Sequence, residues 1–261
     1  MSEYLTIPAG YYNIGIEETE LSSVDMAFVP QGIKKQYIQA SSPAHRVFIS
    51  EFSISKRLVT VNEFSLFARN AQYVTESEKE GWGWVWENGW KKKGGVSWMN
   101  PFMDANDDEY RSGDYPVMQV SWNDAVKYTE WISRVENAVY TLPYEREWEV
   151  FARKAGIKSL KDASCGNTSK VVSAFQFLER IRQCDEYQLG MLWEWTMDWY
   201  EGYEGGAVNK DFGNIYKVLR GGSLLSEDIQ RSNDFRFRRC PTARSPYYSF
   251  RVVKRAGAGN N

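Results

Sequence analysis

The residues able to do covalent or metal chemistry are few and scattered in this 261-residue chain. Its three cysteines, Cys165, Cys184 and Cys240, are far apart and form no Cys-x-x-Cys pair. An odd, sparse set is no disulfide framework; three reduced thiols are the expectation, with a single bridge left open. His45 is the one histidine. A nucleophile activated by an imidazole would have to use it, and a site needing two or three histidine ligands cannot be built from one chain. Asp104, Asp107, Asp108 and Glu109 cluster in DANDDEY, but without EF-hand spacing or a turn glycine they read as a solvated loop. There is no phosphate-cradling glycine loop, no G-x-S-x-G elbow and no metalloprotease motif. Contact chemistry is better represented. Leu224 to Ser249 reads LLSEDIQRSNDFRFRRCPTARSPYYS, with five arginines set among Phe235, Phe237, Tyr247 and Tyr248. Tyr, Phe and Arg combine large contact area with directional hydrogen bonds, as protein-binding hot spots do. The WGWVW run at 82–86 is suited to stacking a sugar or a peptide, or to packing against a groove wall.

These residues need a scaffold. A hydrophobic fraction of 43% with 15% aromatics supports a real core, and 11 Trp with 16 Tyr suit half-buried positions. The net charge of −2 gives no broad basic field for nucleic acid or an anionic membrane. No apolar run reaches membrane-spanning length, and MSEYLTIPAGYYNIG lacks the basic and apolar regions of a signal peptide. The chain reads as soluble and monomeric. Its compartment stays open, with display at a cell surface requiring an anchor segment beyond these residues. Residues 4–16 and 46–56 read as short strands around turns. Thr60-Val-Asn-Glu63 and Ser121-Trp-Asn-Asp124 are capping boxes that predict helices, with Phe64, Phe67 and Ala68, then Ala125, Tyr128, Trp131 and Ile132, on the apolar faces. A third helix is expected after Pro143, where Glu145, Glu147 and Glu149 favour its first turns and Trp148, Phe151 and Ala152 pack. Residues 76–120 read as loop, Lys91 to Lys93 as a basic turn, and 157–190 as poorly patterned. Strand and turn follow from Gly190. With no linker and no repeat, residues 1–261 form one expected domain of class α+β.

Several segments are recognisable together. IPAGYYNIG at 7–15, PAHRVFISEFSISKRLVTVNEF at 43–64, TESEKEGWGWVWENG at 75–89, VSWNDAVKYTEW at 120–131, LPYEREWEVFAR at 142–153, LGMLWEWTMDWY at 189–200, VLRGGS at 218–223 and FRVV at 250–253 run in order nearly end to end. The series resembles the formylglycine-generating enzyme, or sulfatase-modifying factor, family. That resemblance implies a C-type-lectin-like fold with small antiparallel sheets, two to three helices and much irregular chain. In the family two catalytic cysteines follow the GGS turn; the matching positions here are Ser226 and Arg231. Copper-dependent oxygen chemistry of the family's kind needs two thiolates, which an alcohol and a guanidinium do not replace. Some relatives hold iron through several histidines, which a chain with His45 alone lacks; His45 itself reads as a hydrogen-bonded strand residue. The family often carries calcium near a G-N-x-W-E-W segment. Here Met191 stands where Asn is usual, and Glu194 or Asp198 would have to contribute.

The family's partner-peptide groove is lined by the segment matching 224–249. The implied ligand-binding residues are Leu225, Ser226, Asp228, Gln230, Arg231, Ser232, Asp234, Phe235, Arg236, Phe237, Arg238, Arg239, Tyr247 and Tyr248, with Arg236, Arg238 and Arg239 adding charge complementarity. Some proteins of this fold carry a variable segment there, diversified by a retroelement that mutates adenines, typically in AAY codons. Such codons never yield Glu, Gln, Lys, Trp or Met, and none of these occurs from Arg231 to Ser249, although Glu227 and Gln230 lie just upstream. The expectation is a non-catalytic protein or peptide binder without a resident cofactor, possibility of calcium aside. The alternatives are an oxidoreductase using Ser226, Arg231 or tyrosines with an external metal, and a structural subunit of a larger complex.

Overall fold

Short alternating stretches and three long amphipathic segments divide the chain between strands and helices, and the class is α+β. The computed structural model describes residues 3–22, 33–87, 89–104, 106–112, 114–158, 173–184 and 186–255; Cys165 lies outside them. One sheet has the order β1 (Tyr4–Ile7), β4 (Phe52–Ser55), β12 (Val253–Arg255), β7 (Tyr140–Thr141). The other runs β10 (Phe237–Arg239), β9 (Lys217–Arg220), β8 (Trp193–Trp199), β11 (Tyr248–Ser249). Two antiparallel ribbons complete the strands: β2 (Gly10–Ile14) with β3 (His45–Ile49), and β5 (Trp82–Trp86) with β6 (Trp90–Gly94). The sheets are not wholly antiparallel, because β11 runs parallel to β8, pairing Tyr248 with Trp193. His45 opens β3, with its Nδ1 3.0 Å from the Pro43 carbonyl oxygen.

Both expected capping boxes form. Thr60 and Glu63 exchange bonds at the start of α3 (Val61–Ala71), and Ser121 and Asp124 at the start of α6 (Trp122–Val135). Phe64 and Phe67 of α3 then meet Tyr128 of α6 with ring centroids 6.1 and 5.6 Å apart. Among the described residues the helices number eight rather than two or three. The others are α1 (Glu18–Ser22), α2 (Lys35–Gln39), α4 (Glu76–Glu80), α5 (Asn106–Ser112), α7 (Glu145–Lys154) and α8 (Ala174–Arg182). Thus 76–120 is not loop: it holds α4, the β5–β6 ribbon and α5, and Lys91 to Lys93 lie in a strand rather than a turn. The acidic cluster is not simply solvated. Asp107 is buried and accepts from the Phe102 amide at 3.0 Å, and Asp104 accepts from the Asn106 amide at 2.9 Å.

The glutamates of α7 do more than favour its dipole. Glu145 accepts from Arg236 at 2.6 and 2.9 Å and from Arg220 at 2.9 Å; Glu149 accepts from Arg220 at 2.7 Å. Arg220, Arg236 and both glutamates are buried, so their charges compensate one another out of water. Burial raises the Glu145 carboxyl, but Arg236 and Arg220 outweigh it and hold the group below its ordinary value. This cluster ties α7 to β9 and to the chain just before β10.

A candidate ligand-binding groove

The groove begins with a turn. After β9 the chain takes left-handed backbone at Gly222, φ +72°, where a Cβ would meet Arg231 Cγ at 2.7 Å. That close approach lets Arg231 reach over the turn. Its Nε donates to the Ser223 carbonyl at 3.0 Å and its Nη2 to the Leu224 carbonyl at 3.1 Å. Ser226 is only 4% exposed, and its Oγ accepts from the Ser223 amide at 2.9 Å. Arg231 and Ser226, the positions the resemblance implies for the family's cysteines, are therefore a clasp and a turn bond. An Arg cation has no lone pair for copper, and an alcohol does not act as a thiolate, so these donors do not fit the metal.

Above this floor lies a cavity of about 620 Å³. Its inner wall is Trp193 of β8 stacked on Phe237 of β10, centroids 4.5 Å apart, with the Arg239 guanidinium 4.2 Å from the Phe237 ring centre. Tyr247 and Tyr248 close one side. The outer wall comes from the ribbon: Trp86 and Trp90 face each other across β5 and β6, centroids 5.3 Å apart, and Trp90 meets Tyr247 at 5.7 Å. Trp86 and Trp90 remain 46% and 47% exposed, an unusual surface for two indoles unless something covers them.

Of the residues expected from sequence, Leu225, Ser226, Gln230, Phe237, Arg239, Tyr247 and Tyr248 line this cavity. The remainder stand elsewhere. Arg236 is 2% exposed in the α7 cluster, and Arg238 bonds Asp211 from the opposite face of β10, 3.7 Å from the Tyr37 ring. Only Arg239 of the three clustered arginines borders the cavity. Asp234 and Phe235 are buried, and Ser232 Oγ donates to the Ile229 carbonyl at 2.8 Å. Asp228 and Arg231 belong to a 3-10 turn, Asp228–Arg231, outside the lining. Trp86 belongs to the WGWVW run already read as a stacking or groove-wall element, whereas Glu87, Trp90, Trp193, Ser223 and Glu227 were not singled out for the site from the sequence. The Asn-Gly pair after WGWVWE was the available hairpin signal for Glu87 and Trp90. Glu194 is committed to structure: it accepts from Arg251 at 2.8 Å and from Trp148 Nε1 at 2.8 Å. Among the described residues no group of three or more His, Cys, Asp or Glu side chains is placed to hold a metal ion.

The fold and this groove define an α+β domain of the formylglycine-generating type. Residues 1–174 and 186–256 match the family described as sulfatase-modifying factor enzyme 1-like domain, and the chain belongs to that family. It is 24% identical to mouse formylglycine-generating enzyme over 292 aligned positions, covering 91% of this chain and 69% of that protein. It is 26% identical to mouse inactive C-alpha-formylglycine-generating enzyme 2, covering 82% of this chain and 79% of that one. Among solved structures, PvdO from Pseudomonas aeruginosa aligns with TM-score 0.62 and 18% identity over 98% of this chain and 95% of its own. Treponema denticola variable protein 1 aligns with TM-score 0.57 and 16% identity over 97% and 95%.

Proposed function

We propose that this chain is a non-catalytic recognition protein that binds a protein or peptide in the aromatic groove between β10 and the β5–β6 ribbon. The observation that carries the reading is the pair Ser226 and Arg231, which the family resemblance matches to its cysteines: Ser226 lines the groove floor, Arg231 clasps the turn behind it, and both act as hydrogen-bonding groups. The exposed indoles and the Trp193–Phe237 stack supply the apolar, aromatic surface that hot spots use. A relative named inactive and a structural neighbour named a variable protein are compatible with such a role.

The same reading extends to residues 224–249 as a segment varied by a diversity-generating retroelement. The absence of Glu, Gln, Lys, Trp and Met from Arg231 to Ser249 supports it, and Phe237, Arg239 and Tyr247 on the cavity are all types that adenine mutation of AAY codons reaches. A near-copy of the coding segment differing mainly at adenines, beside a reverse transcriptase, is the expected genomic context; a genome with neither contradicts this part.

Binding is tested by panning phage-displayed random linear peptides on immobilised protein. The expected result is enriched peptides whose retention falls about tenfold or more on Phe237→Ala and on Leu225→Trp, in keeping with loss of a groove wall. Failure to enrich any peptide, or retention on both variants equal to that on the unchanged protein, contradicts the proposal.

A further inference from the structure

The ribbon that forms the outer wall of the groove is bolted to the body at its base. Arg244, only 2% exposed, donates to the Trp82 carbonyl from Nη2 at 2.9 Å and from Nε at 3.3 Å. Its Nη2 also reaches Glu80 at 2.8 Å, and the guanidinium lies 4.0 Å from the Trp82 ring centre. Two residues further along β5, Gln119 Nε2 donates to the Trp84 carbonyl at 2.6 Å and to the Pro101 carbonyl at 3.4 Å. Gln119 is fully buried, and its own amide donates to the Ser245 carbonyl at 3.0 Å, so it joins the ribbon to the stretch of chain that carries Tyr247. Gly83 allows the approach: a Cβ there would meet Val96 Cγ1 at 2.5 Å and Gln119 Oε1 at 2.9 Å. At the tip the contact is ring on ring, Trp90 against Tyr247. Arg244 itself does not line the cavity.

We propose that Arg244, with Gln119 beside it, is a positioning residue for ligand binding: the two fix the base of the β5–β6 ribbon so that Trp86 and Trp90 stand across the cavity from Phe237 at the width a ligand needs. This rests on the peptide-binding reading above. A two-stranded ribbon is marginally stable by itself, so its angle is set by what holds it. From Trp82 to Trp86 is four residues, an arm of about 13 Å, and a tilt of about 10° at the base moves the tip by about 2 Å. A displacement of that size parts Trp90 from Tyr247 and opens the wall. Arg244 and Gln119 thus act on affinity without touching the ligand, by holding two exposed indoles ready for it and sparing the cost of ordering them on binding.

The test is a double-mutant cycle on the whole protein, read by calorimetry with linear peptides enriched on it by phage display. Arg244→Leu is expected to weaken these peptides about tenfold, the share of one aromatic anchor. In a protein carrying both Trp86→Ala and Trp90→Ala, the same change is expected to cost nothing further, because the wall it positions is gone. Without ligand, amide hydrogen exchange at 82–86 and 90–94 should quicken about tenfold or more in Arg244→Leu while β8 and β9 keep their rates. Gln119→Asn is a second variant: Asn accepts the left-handed backbone found there, φ +58°, but is too short to keep the Trp84 bond, and the same pattern is expected. A loss undiminished in the alanine background, or affinity and ribbon exchange unaltered by both variants, overturns the positioning role and leaves the groove standing. Enrichment of no peptide overturns the groove reading and this inference with it.

Discussion

Arg231 and Ser226 spend their polar groups on their own chain. A thiolate pair grips a soft metal; a guanidinium and a hydroxyl grip carbonyl and amide groups of their own chain. Here they hold the Ser223–Ser226 turn, which forms the floor of the groove. Arg231→Met keeps the bulk but leaves the Ser223 and Leu224 carbonyls without their charged donor. Urea denaturation should show a loss of about 2–3 kcal/mol, as expected for hydrogen bonds to a charged group, while exposed Arg239→Met should change stability by less than about 0.5 kcal/mol. Equal effects of the two would contradict the clasp. That contrast was not legible in the sequence, where both are arginines in one basic run. Arg236 was hidden for the same reason: its partner Glu145 is 91 positions away, and nothing local separates a buried arginine from a solvated one. The aromatic half of the site was easier to read, because Phe237, Tyr247 and Tyr248 announce contact area wherever they lie.

Elements explain which neighbours face the ligand. Side chains alternate along β10, so Phe237 and Arg239 border the cavity while Arg238 turns to Asp211. The capping boxes of α3 and α6 were legible because their rule spans three residues; Thr75-Glu-Ser-Glu78 before α4 is a third box with the same signature. The β5–β6 ribbon was harder, since its Trp and Lys content hides the alternation. The start of α7 is a further case. Asp198 of β8 accepts from the Glu145 amide there, and burial next to the Glu145 carboxylate pushes its carboxyl up to about 6. A carboxyl raised on folding binds its proton more tightly when folded. Its contribution is therefore most favourable below about pH 4 and declines as pH rises to about 6. Asp198→Asn keeps an acceptor for the amide and removes the charge. Melts from pH 4 to 8 should show the variant gaining on wild type by about 2 kcal/mol between the two ends. A constant difference would contradict the raised carboxyl.

At the scale of the molecule, two buried charge clusters fix the second sheet against α7 and the first sheet. Arg220 and Arg236 meet Glu145 and Glu149, and Arg251 meets Glu194. Removing one partner of such a pair leaves the other charged and buried, at about 3–5 kcal/mol, so these positions are constrained to be structural. The acidic and cationic groups of the GGS and WEW segments are thereby committed to the scaffold, and what stays open to solvent is an aromatic groove with a clasped floor. On the function proposed above, the groove makes contact and carries out no turnover at Ser226 and Arg231. The most direct test incubates purified protein, supplied with copper(I), with a cysteine-containing peptide in air and follows the peptide by mass spectrometry. A non-catalytic groove leaves the peptide without aldehyde; appearance of formylglycine in place of the cysteine would contradict that function.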